Sequence, residues 1–231
     1  DVGIWAHSIS DHTQGNWNGI AGRIELAATS PVRIDDVQAF PSLARKSVRL
    51  AVRIGGSGAG SVTVRAGAVA KDVALGATGA AADLEVPLGD GAKPWDEFAP
   101  ELQRLSVALQ GDGVADARTV TFGLREIAAR GTQLVLNGRN LFLRGTLECC
   151  IFPLTGYPPT DVDAWKRVIR ICKDHGLNHI RFHSWCPPEA AFAAADELGF
   201  YYQVEVAAWT TVGDGRPIDA WLYAEGERIL R

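Results

Sequence analysis

The chain has 231 residues, 47% hydrophobic and 22% charged, with a formal net charge of −4. That mild acidity argues against a nucleic-acid partner, which would call for a clustered basic patch. No run of about 18 apolar residues is present, so no helix is expected to span a membrane and no membrane partner is expected.

The length suits one large domain or two smaller ones. The chain starts at Asp1, contains no methionine and opens on no basic, apolar leader, so it is expected to be a piece of a longer protein. Residues 1–30 are rich in glycine and polar residues and end in GRIEL, read as a short strand closing a preceding β domain. Trp17 lies there among turn formers, where packing is the expected role and sugar stacking the alternative.

Residues 31–127 read as β throughout. SVRLAVRI (47–54) and SVTVRAGAVA (61–70) alternate apolar and polar residues around the turn GGSGAG, and DLEVPL, LQRLSVAL and RTVTFGL continue the series. Short alternating strands at near-regular spacing predict an antiparallel sandwich of immunoglobulin-like size. The region gathers no acid, base or nucleophile and reads as a structural module.

The pattern changes over residues 128–231. QLVLNG predicts a hairpin arm with an Asn-Gly turn, and LFLRGTLECC a strand. Thr160 with Asp163 resembles a capping box, and Trp165, Val168, Ile169 and Cys172 form one helical stripe. LNHIRFHSW and FYYQVEVAAW predict two more strands, PPEAAFAAADELG and PIDAWLYAEGERILR two more helices. Three strand–helix repeats imply parallel strands, with a barrel and an open sheet both possible.

Alternation along these strands sets Leu143, Leu147, Ile180, Phe182, Tyr202 and Val204 on apolar faces. It sets Arg144, Glu148, Arg181, His183, Gln203 and Glu205 on polar ones. A polar face favours a barrel lumen over an open sheet buried on both sides. Glu148, His183 and Glu205 end the three strands, where barrels build their sites; a network that only pairs buried charge is the alternative. His175, His179 and His183 are spaced by four, but Gly176 interrupts any helix, and the last two lie about 13 Å apart along a strand. No metal site is expected. Cys149, Cys150, Cys172 and Cys186 fit no zinc spacing and read as free thiols, leaving the compartment open.

FGLREI, LVLNGRNLFLRGT and DHGLNHIRFHSWCPPEAAFAAADELGFYYQVE resemble the family 2 glycoside hydrolases, which include β-galactosidases, β-glucuronidases and β-mannosidases. GIAGRIEL with PVRIDDVQAFP is similar to that family's junction between its first two domains. The resemblance implies the tail of a jelly-roll sugar-binding domain (1–30), an immunoglobulin-like β-sandwich (31–127) and the first three units of a (β/α)8 barrel (128–231). It implies that Arg181 lines the sugar pocket, that His183 or Ser184 matches a histidine before the Pro pair, and that Glu205 matches the acidic end of the third strand. After Arg144-Gly145 the chain departs from the family, reading Thr146, Leu147, Glu148, Cys149, Cys150.

Retaining glycosidases need two carboxylates roughly 5–5.5 Å apart. The family carries them on the fourth and seventh barrel strands, the first in an Asn-Glu pair, and this chain has no Asn-Glu dipeptide. No catalytic residue is therefore expected within it. Glu148, Arg181, His183, Trp185, Glu205 and Trp209 are the expected substrate-binding residues, with a carbohydrate substrate, no cofactor, and the remainder of the parent chain as partner. Periplasmic or extracellular location is implied by the resemblance alone. The competing reading is a non-catalytic carbohydrate-binding or scaffold protein using Trp17, Trp185 and Trp209 as stacking platforms.

Overall fold

A computed structural model describes residues 24–58, 60–207 and 211–230, which group into two compact units dividing between Leu141 and Phe142.

The first unit is a β-sandwich. Strands β1 (Arg33–Ser42), β2 (Ser47–Gly55), β3 (Ser61–Ala66), β4 (Val69–Ala74), β5 (Ala80–Pro87), β6 (Leu102–Gly111) and β7 (Val114–Gly123) form two antiparallel sheets, ordered β1-β2-β5 and β4-β3-β6-β7. Alternation fills the space between them. Val48, Leu50, Val52 and Ile54 of β2 are buried while Arg49 and Arg53 are exposed. They share one core with Val62, Val64, Leu84, Val86, Val107 and Leu109. Each such side chain contributes about 1.5–3 kcal/mol when fully buried.

The expected strand over 61–70 is two strands, because Gly67 at φ +57° turns the chain in a two-residue hairpin between Ala66 and Val69. Strand β1 was legible only as a domain junction. A bulge between Ile34 and Asp36 breaks its alternation, and the ladder resumes at Asp36. Ile24 to Leu26, within the expected strand GRIEL, are exposed and belong to no strand among the described residues.

Strands β8 (Ile127–Arg130), β9 (Gln133–Leu136) and β10 (Arg139–Asn140) form a small antiparallel sheet. Its Asn137-Gly138 turn has both residues at positive φ, +50° and +80°, as a type I′ turn requires. Asn137 Oδ1 accepts the Glu126 N–H at 2.9 Å, and its Nδ2 donates to the Trp95 carbonyl at 3.0 Å. These bonds tie the hairpin to the sandwich unit, whereas the sequence reading grouped it with the segment that follows.

In the second unit β11 (Gly145–Glu148), β12 (His179–Phe182) and β13 (Tyr201–Val204) form a parallel sheet in that order. Helices α1 (Val162–Asp174) and α2 (Glu189–Leu198) connect them, and α3 (Pro217–Ile229) follows. Helix α1 starts one residue later than the expected box: Asp161 is the N-cap and accepts the Ala164 N–H at 2.8 Å. Its Trp165 and Ile169 pack with Ile180, Phe182 and the alanine face of α2 into a second core. Lys166 and Glu197 pair between the two helices. Gly199 at φ +66° ends α2, a left-handed cap that favours glycine.

Candidate functional site

The site starts from the register of the parallel sheet. Thr146, Ile180 and Tyr202 are level, as are Leu147, Arg181 and Gln203, and Glu148, Phe182 and Val204. Level residues of neighbouring strands share a face. Asn178, buried just before β12, fixes this register. Its Oδ1 accepts the Arg144 N–H at 2.7 Å, its Nδ2 donates to the Phe142 carbonyl at 3.1 Å, and its backbone N–H donates to the Arg144 carbonyl at 3.0 Å. Sequence reasoning did not single out Asn178; its place between a helix-ending Gly176 and a strand was the available signal.

The register corrects the expected faces of β11. Leu147, expected on the apolar face, is 52% exposed and level with Arg181. Glu148, expected to line one wall with His183 and Glu205, is level with Phe182 and Val204 on the core row. Its two oxygens accept the N–H groups of Cys150 at 2.9 Å and Ile151 at 3.0 Å. Burial pushes the Glu148 pKa up, and these hydrogen bonds with the nearby Trp185 indole oppose that rise only in part.

Arg181, His183 and Glu205 do meet. Arg181 Nε donates to Glu205 Oε1 at 2.6 Å, and a terminal nitrogen of the same guanidinium lies 2.5 Å from that oxygen. The Ser184 N–H donates to Glu205 Oε2 at 2.8 Å, and His183 Nδ1 stands 3.5 Å from the same oxygen. Ser184 reaches this position at φ +58°, an unusual conformation for a non-glycine residue that aims its amide at the carboxylate. Burial raises the pKa of Glu205, but the Ser184 amide and Arg181 outweigh it and hold the carboxyl below its usual range. The three side chains cluster at the carboxyl ends of β12 and β13, Arg181 within β12 and His183 and Glu205 one residue past their strands.

Cys149 belongs to the same neighbourhood. It directly follows Glu148, the last paired residue of β11, and lies within the electrostatic reach of Arg181 and Glu205. Burial first, then the charges of Glu148 and Glu205, raise its thiol pKa, with Arg181 opposing them. The sequence reading placed it in the stretch that departs from the family and among four free thiols, and all four are free.

Trp185, expected to bind substrate, lies in the second core. It is 4% exposed and packs edge-on against Phe182 at 5.2 Å and Phe152 at 6.2 Å between ring centroids. Its indole N–H lies near Glu148 without a full hydrogen bond. A buried indole offers no face to a sugar, which removes Trp185 as a stacking platform. Trp17 and Trp209 lie outside the described residues. No group of three or more metal-ligating side chains occurs among the described residues.

No family model matches the chain. Among curated proteins it is 29% identical over 115 residues to a β-galactosidase of Lactococcus lactis, covering 49% of this chain and 11% of that protein. It is 27% identical over 122 residues to a β-galactosidase of Thermoanaerobacterium thermosulfurigenes, covering 53% and 17%. The chain therefore spans only 11 to 17% of the length of these relatives. Among solved structures it resembles a family 2 β-galacturonidase from Eisenbergiella tayi bound to galacturonate (TM-score 0.68, 21% identity, 87% of this chain and 37% of that one). It also resembles a β-glucuronidase from Parabacteroides merdae (TM-score 0.61, 19% identity, 87% and 26%). The sequence relatives are glycoside hydrolases, and the fold is shared with structures of glycoside hydrolase family 2.

Proposed function

We propose that this relative of the family 2 glycoside hydrolases is a segment of a retaining, exo-acting β-glycosidase that removes terminal β-linked sugars. Its sandwich is the immunoglobulin-like module, and its parallel sheet with α1 to α3 is the start of a (β/α)8 barrel, whose sites form at the carboxyl ends of the strands. The observation that carries the reading is the Arg181–Glu205–His183 cluster at that end of two adjacent parallel strands. Such a cluster presents fixed donors and acceptors to sugar hydroxyls.

The chain supplies a binding wall rather than the reacting carboxylates. A double displacement needs one carboxylate as acid/base and another as nucleophile. Glu205 is ion-paired to Arg181, and both oxygens of Glu148 hold backbone amides. The segment is therefore inactive alone.

The purified chain is assayed with aryl β-galactoside and β-glucuronide substrates and titrated calorimetrically with galactose and glucuronic acid. No turnover above buffer is expected, together with weak sugar binding that Arg181→Ala abolishes. Turnover lost on Glu148→Gln would sink the inactive reading. Identical titrations of wild type and Arg181→Ala would sink the binding wall.

A further inference from the structure

Glu148 ends β11 with three acceptor atoms in use. Its carboxylate oxygens take the N–H groups of Cys150 and Ile151, and its backbone carbonyl takes the His183 N–H at 2.9 Å. One residue thus ties the corner after β11 to the first residue past β12. The corner needs a tie: Cys150 is at φ +60°, a left-handed conformation that costs a non-glycine residue about 1–2 kcal/mol. Two charge-assisted hydrogen bonds are enough to hold it. Cys149 stands between the anchor and the strained residue, within the electrostatic reach of Arg181 and Glu205.

We infer that Glu148 is a positioning residue, its carboxylate clamping the Cys149–Ile151 corner so that Cys149 forms part of the wall beside Arg181 and Glu205. That Cys149 faces sugar rests on the binding-wall reading above, whereas the clamp itself does not. The clamp explains a carboxylate that lies level with Phe182 and Val204, beside a buried indole, and not among the polar groups it was expected to join. It also makes the identity of the residue at 149 a determinant of the wall's chemistry, with a thiol where a stronger hydrogen-bond former could stand.

Amide hydrogen exchange at residue resolution tests the clamp in the full 231-residue chain without sugar. In Glu148→Ala the protection of Cys150 and Ile151 is expected to fall about tenfold or more, the scale of losing a hydrogen bond to a charged group. The His183 amide, bonded to a backbone carbonyl, is expected to stay within about twofold of wild type on the same scale. Glu148→Gln keeps one acceptor oxygen at unchanged length and should rescue one of the two corner amides. Iodoacetamide should alkylate Cys149 several-fold faster in Glu148→Ala and at an intermediate rate in Glu148→Gln. If the alanine variant fails to fold, the loss of a single corner amide in Glu148→Gln carries the test. Both corner amides exchanging as in wild type in Glu148→Gln would overturn the clamp. So would a loss spread evenly over His179–Phe182. Because no sugar enters the measurement, a negative sugar titration leaves this result standing.

Discussion

At the scale of single residues, His179 records how tightly β12 is set against β11. It is 8% exposed, and a Cβ at Gly145 would come within 2.4 Å of its Nδ1, so the glycine of Arg144-Gly145 makes room for the ring. Burial lowers the His179 pKa below its ordinary value of 6.5. The folded chain then resists protonation that the unfolded chain accepts, so stability is lost as pH falls below about 6.5. Urea midpoints at pH 7.5 and 5.5 are expected to differ in wild type, with a smaller difference in His179→Gln. Equal pH slopes in the two proteins would remove His179 as the cause. The same scale marks what one-dimensional reading missed. Arg181, His183 and Glu205 were legible because alternation and strand ends locate them. Glu148 and Trp185 were not, because a charged residue can turn its carboxylate to its own backbone and a tryptophan after a strand can fold back into the core.

Among the elements, legibility followed regularity. β2, β3 and β5 alternate cleanly and were read, apart from the turn at Gly67. β1 was legible only as part of a β region and a domain junction because a bulge interrupts its period, and β11 was assigned to the wrong faces because four residues give too short a pattern to outweigh Leu147 and Glu148. Helix α1 was legible from its stripe, with only its cap displaced by one residue. That cap yields a quantitative expectation: Asp161→Ala should destabilise the second unit by about 1 kcal/mol, the usual cost of losing an N-cap acceptor. Chemical denaturation followed by a probe in α1 measures it; an unchanged midpoint would mean that the Ala164 amide finds water as an equal partner.

At the scale of the whole molecule, two cores carry the stability among the described residues. One lies between the sandwich sheets, the other between the parallel sheet and its helices, and they share no residue. Leu50→Ala is expected to cost the sandwich about 2–5 kcal/mol, as a buried leucine truncation does. Exchange protection at Ile169 and Ile180 should stay at wild-type levels. Equal loss of protection in both units would show that they unfold together. Neither core includes Arg181, His183 or Glu205, so substitutions there are expected to test binding without removing the main source of cohesion.

The hairpin turn at Asn137-Gly138 has a consequence for the chain's chemical ageing. An asparagine followed by glycine is prone to deamidate, since the glycine backbone nitrogen can attack the side-chain carbonyl and expel ammonia as a succinimide forms. Here the Asn137 amide is held at both ends, by the Glu126 N–H and the Trp95 carbonyl, so the side chain must let go before it can react. Deamidation, followed by peptide mass spectrometry on stored protein, should run slower in the folded chain than in an unfolded peptide of the same sequence. It should then keep a slow chemical record of each time the turn has opened.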